Sequence, residues 1–521
     1  MSNISQKQRT VPCSCCSCSL ILIATIFFMI SIKAVLASPL SLINVPLNSW
    51  IYPEISRLET LQAFEGNDII ATNTTPLTRI EVALLRATFQ INPYFNQKVD
   101  NKAQNKENKD FTNTLYSFSE LGAIISGSFS ENSAFYLNAS VYTDLDLVSN
   151  IFEGEIPLKA QINQAYLKLQ LPSFKIPIPS NTPFFPSLSD LEFPALDLLV
   201  GRDYMKWGPG YQGNLILSDN PPAFDMIKYS GTIDLNDLGG DFGKVNFTKF
   251  FSLLDPLDGQ NRYFLGQRLE YKPFDVLTLG LSETAIISED SSILFYNPLP
   301  FIPPYYLTRW IADVLEQPSE INSYVGIDME LNFHPGIKLY GEWMADDFIL
   351  TPKTNPYPNR TGFLAGAYFA DPLGRGDTDF RIEYTHINNY VYFPTYSWQN
   401  YLYQGEYIGH PLGPDADQLY LELTHRLSDK LNLSLSYNHQ RHGEGQTGIS
   451  LPSDPVIANE NIFLSGIIEK QQAYQTELSY TISPQWEFSA GVTWESIKNK
   501  DNNLGVNENN TYFQIELNYQ F

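Results

Sequence analysis

From Phe111 to the last residue, apolar and polar positions alternate with a period of two. In "FYLNASVY" Phe135, Leu137, Ala139 and Val141 share one face, and in "VGIDMELNF" Val325, Ile327, Met329, Leu331 and Phe333 alternate with Asp328, Glu330 and Asn332. The pattern returns in "LTLGLS", "LYLELTHRL", "LNLSLSY", "AYQTELSYTI" and "WEFSAGVTW", and it closes the chain in "YFQIELNYQF". Successive side chains of a strand point to opposite faces, so each segment predicts a half-buried strand. Their length of about ten residues is what a tilted strand needs to cross a bilayer.

The polar faces carry charge: Asp328 and Glu330, then Lys338, Glu342 and Asp346 in "IKLYGEWMADDF", then Arg381 and Glu383 in "FRIEY". These side chains must meet water or one another. In hydrocarbon every backbone polar group needs an internal partner, which leaves a strand protein only the closed barrel. The expected fold is an all-β, transmembrane antiparallel β-barrel of about eighteen strands over residues 113–521, with those seven charged residues facing the lumen. A barrel of that size has a water-wide interior unless something fills it. The last strand is expected to close against the first, and a terminal aromatic, Phe521, resembles the signal that barrel-assembly machinery reads.

The first hundred residues differ. Lys7 and Arg9 precede the apolar run "LILIATIFFMISI", which is too short to span a bilayer, and "AVLAS" supplies small residues before Ser38. Residues 1–37 are therefore expected to be a signal peptide. In "WIYPEISRLETLQAFEG", Pro53 suits a first helical turn, Ile55, Leu58 and Leu61 make a stripe, and Gly66 is a stop. In "PLTRIEVALLRATFQ", Thr78 and Glu81 form a capping box. Residues 38–95 thus predict a small periplasmic helical module. It is readable as a plain helical hairpin, and it also resembles one copy of an S-layer-homology module, a likeness that implies peptidoglycan or another cell-wall polymer as its partner. "NQKVDNKAQNKENKD" reads as a solvated linker, over residues 96–112.

Charge and cysteine narrow the function. Loss of the leader removes three of the 33 basic residues and none of the 57 acids, so the exported chain is strongly acidic. Phosphate binding needs Lys and Arg to displace counterions, which excludes nucleic acid as a partner. Cys13, Cys15, Cys16 and Cys18 all precede the cut, so no disulfide or thiolate metal site is expected in the exported chain.

The least strand-like segment is "GRDYMKWGPGYQGNLILSDNPPAFDMIKYSG", whose Gly208, Gly210 and Gly213 predict a loop that bends close to other backbone. It lacks the helix and basic residue of a phosphate loop. This segment, with "GQRLEYKPFDVLTLGLSE", "FYNPLPF", "GIDMELNFHPGIKLYGEWMADDF" and "YIGHPLGPDADQLYLEL", resembles the capsule assembly Wzi family of outer-membrane proteins. The likeness implies an eighteen-stranded barrel with a periplasmic helical part and a lumen blocked by loops, acting as a lectin that holds capsular polysaccharide on the cell surface. The chain is expected to be a monomer whose partner is capsular or extracellular polysaccharide.

Catalysis finds little support. Asp346 and Asp347 are adjacent on one strand and so point apart, and no Ser-centred elbow or HExxH occurs. His410, Asp415 and Asp417 in "GHPLGPDADQ" read as turn chemistry ahead of a metal site. No enzyme, cofactor or metal is expected. Sugar contact points to aromatic platforms, for which Trp207, Tyr211, Tyr396, Trp398, Tyr401 and Tyr403 are the candidates. The same residue types concentrate in interfacial girdles. A cation-preferring porin is the rival function, since an acidic open lumen would select cations.

Overall fold

The computed structural model describes residues 51–60, 74–75, 90–100, 116–130, 132–146, 158–177, 190–238, 240, 242–299, 304–347, 357–392, 396–445 and 452–520. The leader with its cysteines, the second expected helix up to its last residue, and Phe521 lie outside them.

Eighteen strands form the wall. They are β1 (Gln90–Asp100), β2 (Tyr116–Ser130), β3 (Ser133–Asp146), β4 (Leu158–Leu171), β5 (Leu196–Asp203) and β6 (Phe224–Asp234). Next come β7 (Lys244–Leu257), β8 (Gln260–Phe274), β9 (Leu277–Ser288), β10 (Asn322–His334), β11 (Ile337–Asp347) and β12 (Arg360–Ala370). The last six are β13 (Thr378–Ile387), β14 (Ala416–Ser428), β15 (Leu431–His442), β16 (Glu469–Ser483), β17 (Trp486–Lys498) and β18 (Asn507–Gln520). β2 to β18 make one continuous antiparallel sheet, and β1 pairs with both of its edges, Tyr94 lying opposite Gly122 of β2 and Gln520 of β18. Closure leaves no sheet edge to satisfy in lipid.

Two boundaries change. β1 occupies residues read as the end of the helical module and the start of the linker, so the barrel begins at Gln90 and not near 113. The terminal strand closes against this earlier strand, not against the one beginning at Tyr116. A single helix of the expected pair is described, α1 (Ile51–Thr60), and the expected stop at Gly66 lies outside the described residues.

The alternation sorts the wall into two faces. On β10, Ile327 and Met329 are 51% and 43% exposed on the outside, while Asp328 and Glu330 between them are buried on the inside. One end of the barrel carries the tight turns 335–336 and 429–430; the other carries the long connections 204–223, 289–321, 388–415 and 443–468. α1 docks at the tight-turn end. Arg57 Nε donates to Asp379 at 3.0 Å, the Gly336 amide donates to the Thr60 carbonyl at 2.6 Å, and Lys338 Nζ donates to Ser56 Oγ at 3.2 Å. Ile55 of α1 is buried.

Candidate functional site

The long-loop end is filled from within. The connection after β5 and the connection after β13 fold inward and bury Met205, Trp207, Leu215, Leu217, Tyr392, Tyr401, Ile408 and Leu412 against inward residues of the wall, among them Phe250, Phe264, Tyr324 and Met344. The two connections also bond to each other: the Ser218 amide donates to the Ile408 carbonyl at 2.9 Å, and Asn220 Nδ2 donates to the Tyr407 carbonyl at 3.0 Å. Tyr392 and Tyr401 donate their hydroxyls to the carbonyls of Leu215 and Ile216 at 2.7 and 2.8 Å. Thr74–Thr75 adds a short antiparallel bridge to Lys206–Trp207.

Two wall carboxylates hold this plug by its backbone. Glu342 of β11 accepts from the Gly210 amide at 3.0 Å, Asn214 Nδ2 at 2.5 Å and the Leu215 amide at 2.8 Å. Glu383 of β13 accepts from the Tyr211 and Gln212 amides at 2.7 and 2.8 Å and from the Tyr340 hydroxyl at 2.9 Å. A buried amide without a partner is costly, so each carboxylate satisfies donors that an inserted loop would otherwise strand. Gly208 is required here: its φ is +114°, and a Cβ on it would lie 2.4 Å from Glu342 Oε1. The glycine-rich stretch therefore does approach other groups closely, and those groups are the acids of the wall.

The other five expected lumen residues are also placed inside, and they meet protein. Asp328 pairs with Arg268 at 2.6 Å, Glu330 with Lys338 at 2.9 Å, and Asp346 with Arg360 at 3.9 Å. Arg381 lies between two rings, 4.0 Å from Tyr211 and 4.3 Å from Tyr368. A guanidinium stacked on aromatic faces keeps its charge while shedding water.

The six aromatic candidates separate. Trp207, Trp398, Tyr401 and Tyr403 are buried in the plug, so they do not offer faces to a surface polymer. Their contacts explain it: Trp207 packs on Phe250 at 5.3 Å and Tyr403 stacks on Phe224 at 5.0 Å. Tyr211 and Tyr396 keep exposed rings. Tyr211 rests on Arg381 on the inward side, and Tyr396 stands by Trp398 with its hydroxyl donating to Glu320 at 3.1 Å.

The His410, Asp415 and Asp417 group divides too. Asp415 grips the next connection, accepting from the Gly445 amide at 2.9 Å and Ser465 Oγ at 2.6 Å. Asp417 belongs to β14 and pairs with Arg441 Nε at 2.9 Å and the Tyr384 hydroxyl at 3.0 Å. Among the described residues no group of three His, Cys, Asp or Glu is arranged to hold a metal. His410 is fully buried where the two plug connections meet: its amide donates to the Tyr392 hydroxyl at 3.0 Å, its Nδ1 accepts from the Leu412 amide at 3.2 Å, and its Nε2 meets no polar partner. Burial, with a smaller push from Lys206, lowers its pKa from 6.5 to about 3.

That depression has a sign. The unfolded loop binds a proton below pH 6.5 and the packed loop does not, so His410 contributes fully above that pH and its contribution falls as pH drops toward 3. The slope is at most about 1.4 kcal/mol per pH unit. The protection of amides 204–218 against hydrogen exchange, taken relative to the intrinsic rate at each pH, is expected to fall on acidification in the wild type, and this fall to shrink in His410→Leu. Equal pH dependence in the two chains would refute it.

Between the plug and the rim lies an open cleft of about 1190 Å³. Asn163 of β4, Tyr204, Asn220 and Pro222 of the first plug connection, and Gln404 and Glu406 of the second are among its lining. Amide, carboxylate and phenol groups around a shallow opening suit a hydroxyl-rich ligand. Reading residues one at a time missed this cleft, because β4 and the two plug connections are far apart in the sequence.

The model of the capsule assembly protein Wzi family matches residues 187–512 of the chain. The chain belongs to the Wzi family. Its barrel superposes on a solved Wzi of Escherichia coli, described as an outer-membrane protein involved in group 1 capsule assembly and a carbohydrate-binding β-barrel. That match has a TM-score of 0.59 at 14% identity and covers 92% of this chain and 99% of the other, a likeness of fold. Pseudomonas aeruginosa OprD follows at a TM-score of 0.42 and 10% identity, covering 83% of this chain and 92% of its own. No curated protein sequence matches this Wzi-family chain. Family and fold together make it an outer-membrane β-barrel protein.

Proposed function

We propose that this Wzi-family barrel holds capsular polysaccharide on the cell surface and works as a lectin, without catalysis and without passing solute. One observation carries the reading: the same connections that fill the lumen with apolar side chains build the polar cleft at the long-loop end. In outer-membrane barrels the long loops lie outside the cell, so the cleft would meet extracellular polymer. A repeating glycan can engage many such barrels, and multiplicity gives long residence from weak single contacts. The docking of α1 at the tight-turn end supports a periplasmic place for the N-terminal module, where peptidoglycan would be its partner. We further take the protein to be a monomer delivered by barrel-assembly machinery.

Deleting the gene and measuring cell-attached against shed polysaccharide tests the proposal. Attached polymer should fall on deletion, return with the wild-type chain, and return only in part with the cleft variant Tyr204→Ala/Gln404→Ala at equal surface abundance. Unchanged attachment after deletion would overturn it.

A further inference from the structure

Three neighbouring strands break the alternation at the same level. Lys249 sits in the apolar set Phe247, Phe251 and Leu253 of β7; Gln267 sits among Leu265 and Leu269 of β8; Glu283 sits among Leu281 and Ala285 of β9. The register puts them side by side, Lys249 opposite Gln267 and Gln267 opposite Glu283. Their sequence neighbours Phe250 and Thr284 point inward, the one onto Trp207 and the other onto the Tyr401 hydroxyl. The three polar residues therefore stand on the outer face of the wall, where the other strands show apolar side chains.

They are not left to lipid. The connection after β9 folds back over the outside of the barrel and carries the helix α2 (Tyr305–Val314). Glu283 accepts from the first two amides of this helix, Tyr305 at 2.8 Å and Tyr306 at 2.9 Å, and from Gln267 Nε2 at 2.6 Å. Lys249 Nζ donates to the Leu299 carbonyl at 3.1 Å and lies 5.2 Å from the Tyr305 ring centre. A carboxylate is favourable at a helix N-terminus, where free amides and the dipole both point at it. Tyr305, Phe295 and Ile321 then bury against Leu265, Ala285 and Ile287 of the wall.

Most of the outer surface of the cover is apolar in turn, with Arg309 and Asp313 exposed along one flank of the helix. Tyr306, Leu307, Trp310 and Val314 are exposed, continuous with the exposed wall residues Leu281 and Ile327 on the strands beneath. A Lys and a Glu on the lipid face of a strand are unfavourable. Here they become the fixing points for a helix that restores the oily surface. Trp and Tyr on one side of a short amphipathic helix are the side chains that settle at a membrane interface.

From this placement we infer that α2 is a membrane-interface helix, lying in the outer leaflet along the outside of the barrel with Leu307 and Trp310 in contact with lipid. The occupant of its free face is lipid and not protein, because that face continues the belt by which the barrel itself meets the bilayer.

Spin labels decide it. In a full chain with Cys13, Cys15, Cys16 and Cys18 replaced by Ser, single variants Leu307→Cys and Trp310→Cys are labelled with a nitroxide. They are reconstituted in phosphatidylethanolamine–phosphatidylglycerol vesicles, beside Ile327→Cys in the belt and Asp258→Cys in an exposed turn. Labels at 307 and 310 should match 327, colliding with dissolved oxygen and shielded from a water-soluble nickel chelate on the order of tenfold relative to 258. Chelate access equal to that at 258 would place the helix in water, and shielding from both reagents would mean that a second copy or another protein covers it. Either result overturns the inference.

Discussion

Replacing Glu342 by alanine is expected to turn a silent barrel into a conducting one. Its carboxylate accepts from two backbone amides and one side-chain amide of the plug, all of them buried. Removing it strands three donors, each at a cost of about 1–3 kcal/mol, unless water enters to solvate them. Water entry is the loosening of the plug. Glu383 still holds Tyr211 and Gln212, so the loop should open at its Gly210–Leu215 segment without unfolding the barrel. Glu342→Gln keeps an acceptor oxygen and turns an amide toward a donor, so it should fall between. Planar-bilayer recording reads the outcome as openings in the alanine variant, with hydrogen exchange confirming where the loop has moved. A silent alanine variant with unchanged exchange would show that the apolar packing alone holds the plug.

The second large effect belongs to Arg268. It crosses the inner wall from β8 to β10, donating to both oxygens of Asp328 at 2.6 and 2.9 Å, to Glu270 at 3.2 Å and to Ser282 Oγ at 2.8 Å. Gly280 makes room for it, since a Cβ there would lie 2.2 Å from Asp328 Oδ2. Arg268→Ala leaves two buried carboxylates without their cation, and removing one partner of such a network costs about 3–5 kcal/mol. Urea titration followed by heat-modifiable gel mobility should show the folded band lost at clearly lower urea. Arg268→Lys supplies a point charge without the planar fork and should recover part of the loss. A shift within about 1 kcal/mol, the range of an exposed pair, would mean that water already solvates these carboxylates.

The wall was legible because period two survives in almost every strand and because charged residues on one side of ten-residue segments have few places to go. β1 was not, since Pro93 and Gln97 interrupt the alternation of "QINPYFNQKVD" and its polar end runs on into a lysine- and asparagine-rich stretch. Facing inward was readable for Glu342 and Glu383, but gripping amides was not: alternation fixes the side of a strand and not what comes to meet it. The burial of four of the six aromatic candidates was hidden for a related reason. A Trp or Tyr in a connection has the same composition whether the loop turns in or out, and Trp207, Trp398, Tyr401 and Tyr403 turned in. The cover on the outside did leave a mark, three polar residues in register on apolar sets, which only becomes a signal once the strands are paired.

Recording from the purified wild-type protein in a planar bilayer at neutral pH tests the account most directly. A lumen filled by the two connections predicts insertion without steady current. Stable, ohmic, cation-selective steps from the wild type would contradict it and make the barrel a pore.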